Sequence, residues 1–248
     1  MIPPRGTDGD VDQAFADVMR AGASVPALLA VLERYGADKV VLVGLLRRPV
    51  PLLFLETAAA TAPWSDDQRL MAAVVLSPRS SRPLGLRLVG SLYWRDLADV
   101  AASPRVAAGV RVRAESLLKD QLADLRLGER ITLAKIATPP VLIPLLADKD
   151  LKVVEAGLIN TRLREEDLLP MVRADLPSAP LLEGIVASSR WRERYGLRLA
   201  IALQPRAPLA LALAQLTALT VRDLERIVSA PGLTPLLQAA AARVAETR

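Results

Sequence analysis

The stretch WRDLADVAASP at residues 94–104 returns as VRDLERIVSAP at residues 221–231, and this recurrence decides the reading of the fold. The Arg-Asp-Leu triplet, the spacing of apolar residues and the closing proline all repeat. Leu97, Val100 and Ala101 share a register with Leu224, Ile227 and Val228, an i, i+3, i+4 pattern that places each set on one helical face. Downstream, Val110, Ala114 and Leu117 correspond to Leu237, Ala241 and Val244. Upstream, Arg69–Arg79 resembles Arg198–Arg206 in its Arg-Leu opening and its Pro-Arg close. The copies near 69–120 and 198–247 therefore form an internal duplication.

Weaker relatives of the same unit lie between the copies. Leu151, Val154 and Leu158 make one apolar face, which Asn160 interrupts, and Leu168, Leu169 and Val172 open the next. Helix starts are marked by cap residues: the run Ser65 to Gln68 has the shape of a capping box, and Thr220 to Asp223 a similar one. Thr138 and Thr234 each precede a proline, a residue tolerated in a first helical turn because its missing N–H is not needed there. The 19 prolines thus punctuate short helices. No alternation is sustained enough to build a sheet; Val40 to Val43 is the one strand-like run, and a buried helix accounts for it equally well. These patterns predict an all-α chain of short stacked helices, because a unit this small must stack on its neighbours to bury its apolar face.

Two segments, 146–156 (LADKDLKVVEA) and 160–169 (NTRLREEDLL), resemble bacterial HEAT-like and leucine-rich-variant repeats. The resemblance covers residues 65–248 and is clearest from 130 onward. It implies an α-solenoid, a HEAT-like or ARM-like superhelix that binds other macromolecules along its surface. The uneven spacing here departs from regular HEAT units. The expected organisation is a flexible N-terminal tail over 1–12, a helical cap over 13–64 and a degenerate repeat array over 65–248.

Composition agrees with closely packed short helices. Apolar residues make up 52% of the chain but aromatics only 3%, leaving Leu, Ala and Val for the core; Leu and Ala rank high in helix propensity. A net charge of +5 admits anionic partners without forming an evident basic stripe. No signal peptide shows at the N-terminus, and the apolar stretch Val40–Leu55 is too short and too interrupted by Arg47, Arg48, Pro49 and Pro51 to span a bilayer. A cytoplasmic location is expected, and the Arg, Ala and Leu bias suggests a bacterial source.

Histidine and cysteine are both absent. That excludes Ser-His-Asp and Cys-His nucleophiles and ordinary zinc sites. No phosphate-binding or dinucleotide-binding glycine pattern is present. The run Asp8 to Asp12 lacks the carboxylate a calcium loop needs at its twelfth position, where Met19 stands. The acidic groups at 66–67 and 165–167 suit helix starts. No catalytic residue, metal ligand or cofactor is expected.

One cluster stands out: Arg190, Trp191, Arg192, Arg194 and Tyr195, with Arg198 one turn on. Three readings apply to it. Trp191 and Tyr195, spaced i and i+4, pack between repeats; or the cluster anchors a protein partner, since Trp, Tyr and Arg are enriched at hot spots; or it grips phosphates and stacks on bases. The leading expectation is a non-enzymatic scaffold or adaptor for a protein partner. The alternative is a nucleic-acid-binding HEAT-like protein with a DNA-glycosylase-like activity, although no active-site residue of such enzymes maps onto this chain.

Overall fold

The computed structural model describes residues 8–248. Residues 1–7 of the expected tail lie outside them, and Asp8 to Asp12 form the opening of the first helix. Every regular element among the described residues is helical: seventeen α-helices and three short 3-10 turns. Val40 to Val43 belongs to a helix. So do the lone Pro144 and Pro170, each inside a short helix.

The described residues divide into two compact units, 8–123 and 124–248. The first holds α1 (Asp8–Ala21), α2 (Val25–Tyr35), α3 (Lys39–Leu46), α4 (Leu52–Ala60), α5 (Gln68–Leu76), α6 (Arg82–Leu88), α7 (Trp94–Ala102) and α8 (Ala108–Gln121). The second holds α9 (Leu127–Ile136), α10 (Pro139–Leu146), α11 (Leu151–Leu158), α12 (Glu165–Val172), α13 (Ala179–Ala187), α14 (Tyr195–Ala202), α15 (Leu209–Gln215), α16 (Val221–Ser229) and α17 (Pro235–Glu246).

Set side by side, the units are copies of one plan. Helices α4 to α8 start at 52, 68, 82, 94 and 108, and α13 to α17 start at 179, 195, 209, 221 and 235, a constant offset of 127. The 3-10 turns Val89–Ser91 and Leu216–Ala218 keep the same offset. Helices α2 and α3 correspond to α11 and α12 at an offset of 126, because the loop after α12 is one residue longer than the loop after α3. The duplication therefore reaches back to residue 25, well beyond the segment legible in the sequence.

Core positions follow the same offset. Leu70 and Leu197, Val74 and Ile201, Leu92 and Leu219, Leu97 and Leu224, Val110 and Leu237 are buried pair by pair. Chain neighbours pack on each other, most extensively α7 with α8 and α16 with α17, and alternate helices stack into rows. In the first unit α1, α3, α5 and α7 form one row, and α2 packs on α4 and α6 on α8 in another. In the second, α11, α13, α15 and α17 form a row and α12 packs on α14. Each unit thus has the local, sequential packing of stacked-helix repeats, in which one helix pair completes the core of the next.

Capping explains where helices begin. Asp67, not Ser65, caps α5, accepting from the N–H groups of Arg69 and Leu70 at 2.9 and 3.2 Å. A carboxylate two residues downstream reaches those donors, while Ser65 sits in the 3-10 turn Trp64–Asp66. Thr220 and Thr234 cap α16 and α17 as expected. The acidic start of α12 returns a bond to its own entry: Asp167 accepts from the Arg164 N–H at 2.9 Å.

Helix ends in the second unit are closed by side-chain amides from later helices. Asn160, 2% exposed after α11, donates through Nδ2 to the carbonyls of Ala134 and Ala137 at the end of α9, at 2.8 and 3.0 Å. Its Oδ1 accepts from the Arg162 N–H at 2.9 Å. Gln204, after α14, repeats the device three helices on: Nε2 donates to Val172 and Ala174 at the end of α12, and Oε1 accepts from the Arg206 N–H. Both amides satisfy orphan carbonyls that a short helix leaves at its C-terminus.

Candidate functional site

The structure gathers the cluster of residues 190–198 into one region and engages most of it within the fold. Trp191 is 2% exposed, and its Nε1 donates to the Leu158 carbonyl at 2.8 Å. The Arg190 guanidinium lies 4.3 Å from the indole ring centre and donates to the carbonyls of Asn160 and Leu163 at 2.7 and 2.8 Å. Arg198 donates to the Arg192 carbonyl at 2.6 Å and pairs with Glu193, and Arg192 also approaches Glu193 at 3.4 Å. Tyr195 donates to Asp223 and accepts from the Thr220 N–H at 3.1 Å, which joins the start of α14 to the start of α16. Arg192 and Arg194 project into solvent. Trp191 stands at the place of Trp64 in the first unit, 127 residues earlier, where the indole lies against Gly36.

Hydrogen bonds set the charge state of Asp223. The Tyr195 hydroxyl, and after it Arg226 and Thr220, hold its carboxyl below the ordinary value of 3.8 against the opposing effect of burial. Asp17 and Asp67 are lowered in the same way, mainly by Tyr35 and Lys39 respectively. A carboxylate whose folded pKa is lowered stabilises the fold above its unfolded value and loses that contribution as pH falls through the folded one. Asp223→Asn is therefore expected to flatten the dependence of melting temperature on pH below 3.8, with thermal melts followed by circular dichroism across the acid range.

Two open clefts occupy equivalent places in the two units. In the first unit a cleft of about 520 Å³ lies across the α1, α3, α5, α7 row. Its floor is small and apolar (Val43, Gly44, Ala72, Ala73 and Leu76), and Val40 on its rim is 62% exposed. Arg47, Arg69, Asp96 and Asp99 line its edge. In the second unit a cleft of about 700 Å³ lies beside α14 and α16, where Leu199, Ala200 and Leu203 take the places of Ala72, Ala73 and Leu76. Arg173 takes the place of Arg47, and Arg226 that of Asp99. Sequence reasoning missed both clefts. Their lining residues come from helices and helix ends far apart in the chain, and only the stacking brings them together.

Charge distinguishes the two clefts. Burial and the neighbouring Asp99 carboxylate push Asp96 above the ordinary carboxylate value, and the first cleft mixes four carboxylates, Asp8, Asp67, Asp96 and Asp99, with Lys39, Arg47 and Arg69. The second has three guanidiniums and a single carboxylate, Asp175. Among the described residues no group of three or more acidic side chains is placed to hold a metal ion. No helix among them is long and apolar enough to cross a membrane.

Comparisons with protein-family models, with curated proteins and with solved structures yield no match.

Proposed function

We propose that this chain is a non-enzymatic scaffold that holds a protein partner in its two equivalent clefts. The observation that carries the reading is the recurrence of an open cleft, floored by aliphatic side chains and edged by charge, at the same place in both copies of the repeat plan. A surface of this kind suits a polypeptide, whose aliphatic side chains fill the floor while its polar groups meet the charged rim. The local pairing of short helices is in keeping with the HEAT-like resemblance, and HEAT-like arrays present such surfaces along stacked helices. The lack of histidine and cysteine leaves little for an enzyme to work with near neutral pH. A cytoplasmic location accords with this role.

The test is an affinity capture of the tagged full-length chain from its host's lysate, with and without nuclease. A protein partner that survives nuclease treatment is the expected result. Recovery dominated by nuclease-sensitive DNA or RNA would replace the scaffold with the nucleic-acid reading, since phosphate contacts dominate such binding and make it steeply salt-dependent.

A further inference from the structure

We infer that the second-unit cleft is a site for an acidic, amphipathic peptide segment of a partner protein; this rests on the scaffold reading. Three guanidiniums converge on the cleft from three successive parts of the chain: Arg173 after α12, Arg206 after α14 and Arg226 on α16. Arg226 is paired with Asp223 at 2.7 Å. The guanidiniums of Arg173 and Arg206 are exposed and have no hydrogen-bond or ion-pair partner among the described residues.

Arginines that follow helices commonly serve to satisfy C-terminal carbonyls. That role is already filled at the end of α12, because the buried Gln204 amide takes the carbonyls of Val172 and Ala174 at 2.7 and 2.9 Å. Arg173 and Arg206 are thus left facing the cleft with only Asp175 as a lining counter-charge.

The lining also selects among anionic ligands. Leu199 and Leu203 supply an aliphatic floor, and no aromatic side chain lines the cleft to stack on a base. A single-stranded nucleic acid needs such stacking platforms along a basic groove, whereas carboxylates alternating with aliphatic side chains match guanidiniums around a leucine floor. The first-unit cleft provides the contrast. It has Asp99 where the second has Arg226, so this preference belongs to the second copy alone and marks a divergence of the two repeats.

The experiment is fluorescence anisotropy on the full-length chain with three labelled probes: a short peptide alternating Glu and Leu, its Lys and Leu counterpart, and a single-stranded oligonucleotide. The Glu/Leu peptide is expected to bind best. The double substitution Arg173→Gln/Arg206→Gln should weaken that binding about tenfold, the summed effect of two partly exposed ion pairs. Arg47→Gln, at the matching place in the first unit, should leave it unchanged, and thermal melts should be the same for all three proteins. Equal binding of the Glu/Leu peptide to the wild type and the double variant overturns the assignment. Preference for the Lys/Leu peptide, or no binding of either peptide, also overturns it but leaves the scaffold standing. Tighter binding of the oligonucleotide overturns both.

Discussion

Replacing Trp191 by alanine is expected to destabilise the second unit by about 3–5 kcal/mol, the range for removing a large buried aromatic side chain. The indole is 2% exposed and lies under the Arg190 guanidinium. Its Nε1 bond to the Leu158 carbonyl closes the end of α11, so the substitution both opens a cavity and leaves that carbonyl unpaired. Urea unfolding followed by circular dichroism measures the loss. Arg192→Ala and Arg194→Ala, made on solvent-exposed side chains of the same cluster, should each change stability by less than about 0.5 kcal/mol. An anchor for a partner would behave in the opposite way, with Trp191→Ala folding normally and losing only binding.

The second large effect is expected at Asn160. Asn160→Ala removes two donated bonds, to Ala134 and Ala137, and one accepted from the Arg162 N–H, all at a buried position. Each is worth about 1 kcal/mol, and the carbonyls left behind cannot regain water, so the expected destabilisation is about 2–4 kcal/mol. The effect should be local at first: hydrogen exchange should accelerate over α9 and α11, the helices this amide ties together, before the rest of the unit. Uniform acceleration across the whole second unit would show instead that the amide stabilises the unit only as a whole.

The repeat was legible where its residues stayed chemically conspicuous. Helices α7 and α16 retain the Arg-Asp-Leu triplet and a closing proline, and their buried Leu97 and Leu224 sit as the spacing predicts. The earlier part of each unit has drifted further, with few identical positions. Phe54 and Leu181 fill the same buried place with different side chains, and only the next two positions, Leu55/Leu182 and Glu56/Glu183, stay identical beside them. A one-residue difference in the loop before α4 and α13 also breaks the register. One signal survived there. Trp64 and Trp191 are separated by the same 127 residues as Arg95 and Arg222, which would have extended the duplication from sequence alone.

The candidate surfaces were harder to see. Aromatic and arginine residues drew attention to positions 190–198 because they are adjacent in the chain, yet Trp191 and Arg190 close the end of a preceding helix. Arg173, Arg206 and Arg226 lie in separate segments, and no local pattern sets them apart from the other basic residues. Packing of α12 on α14, and the hydrogen bonds that tie the start of α14 to the start of α16, bring them to one surface. Ser65 misled for a related reason: both Ser and Asp suit a cap, and the 3-10 turn over Trp64–Asp66 leaves Asp67 at the cap position.

A partner held in the clefts would shield the helices that line them from solvent. Hydrogen exchange on the full-length chain, alone and with the captured partner, tests it most directly. Protection is expected over α3 and α5 in the first unit and over α14 and α16 in the second, the helices whose side chains line the two clefts. Protection confined to the opposite row of helices, α2 and α4 with α11 and α13, or to residues 188–194 alone, would contradict it.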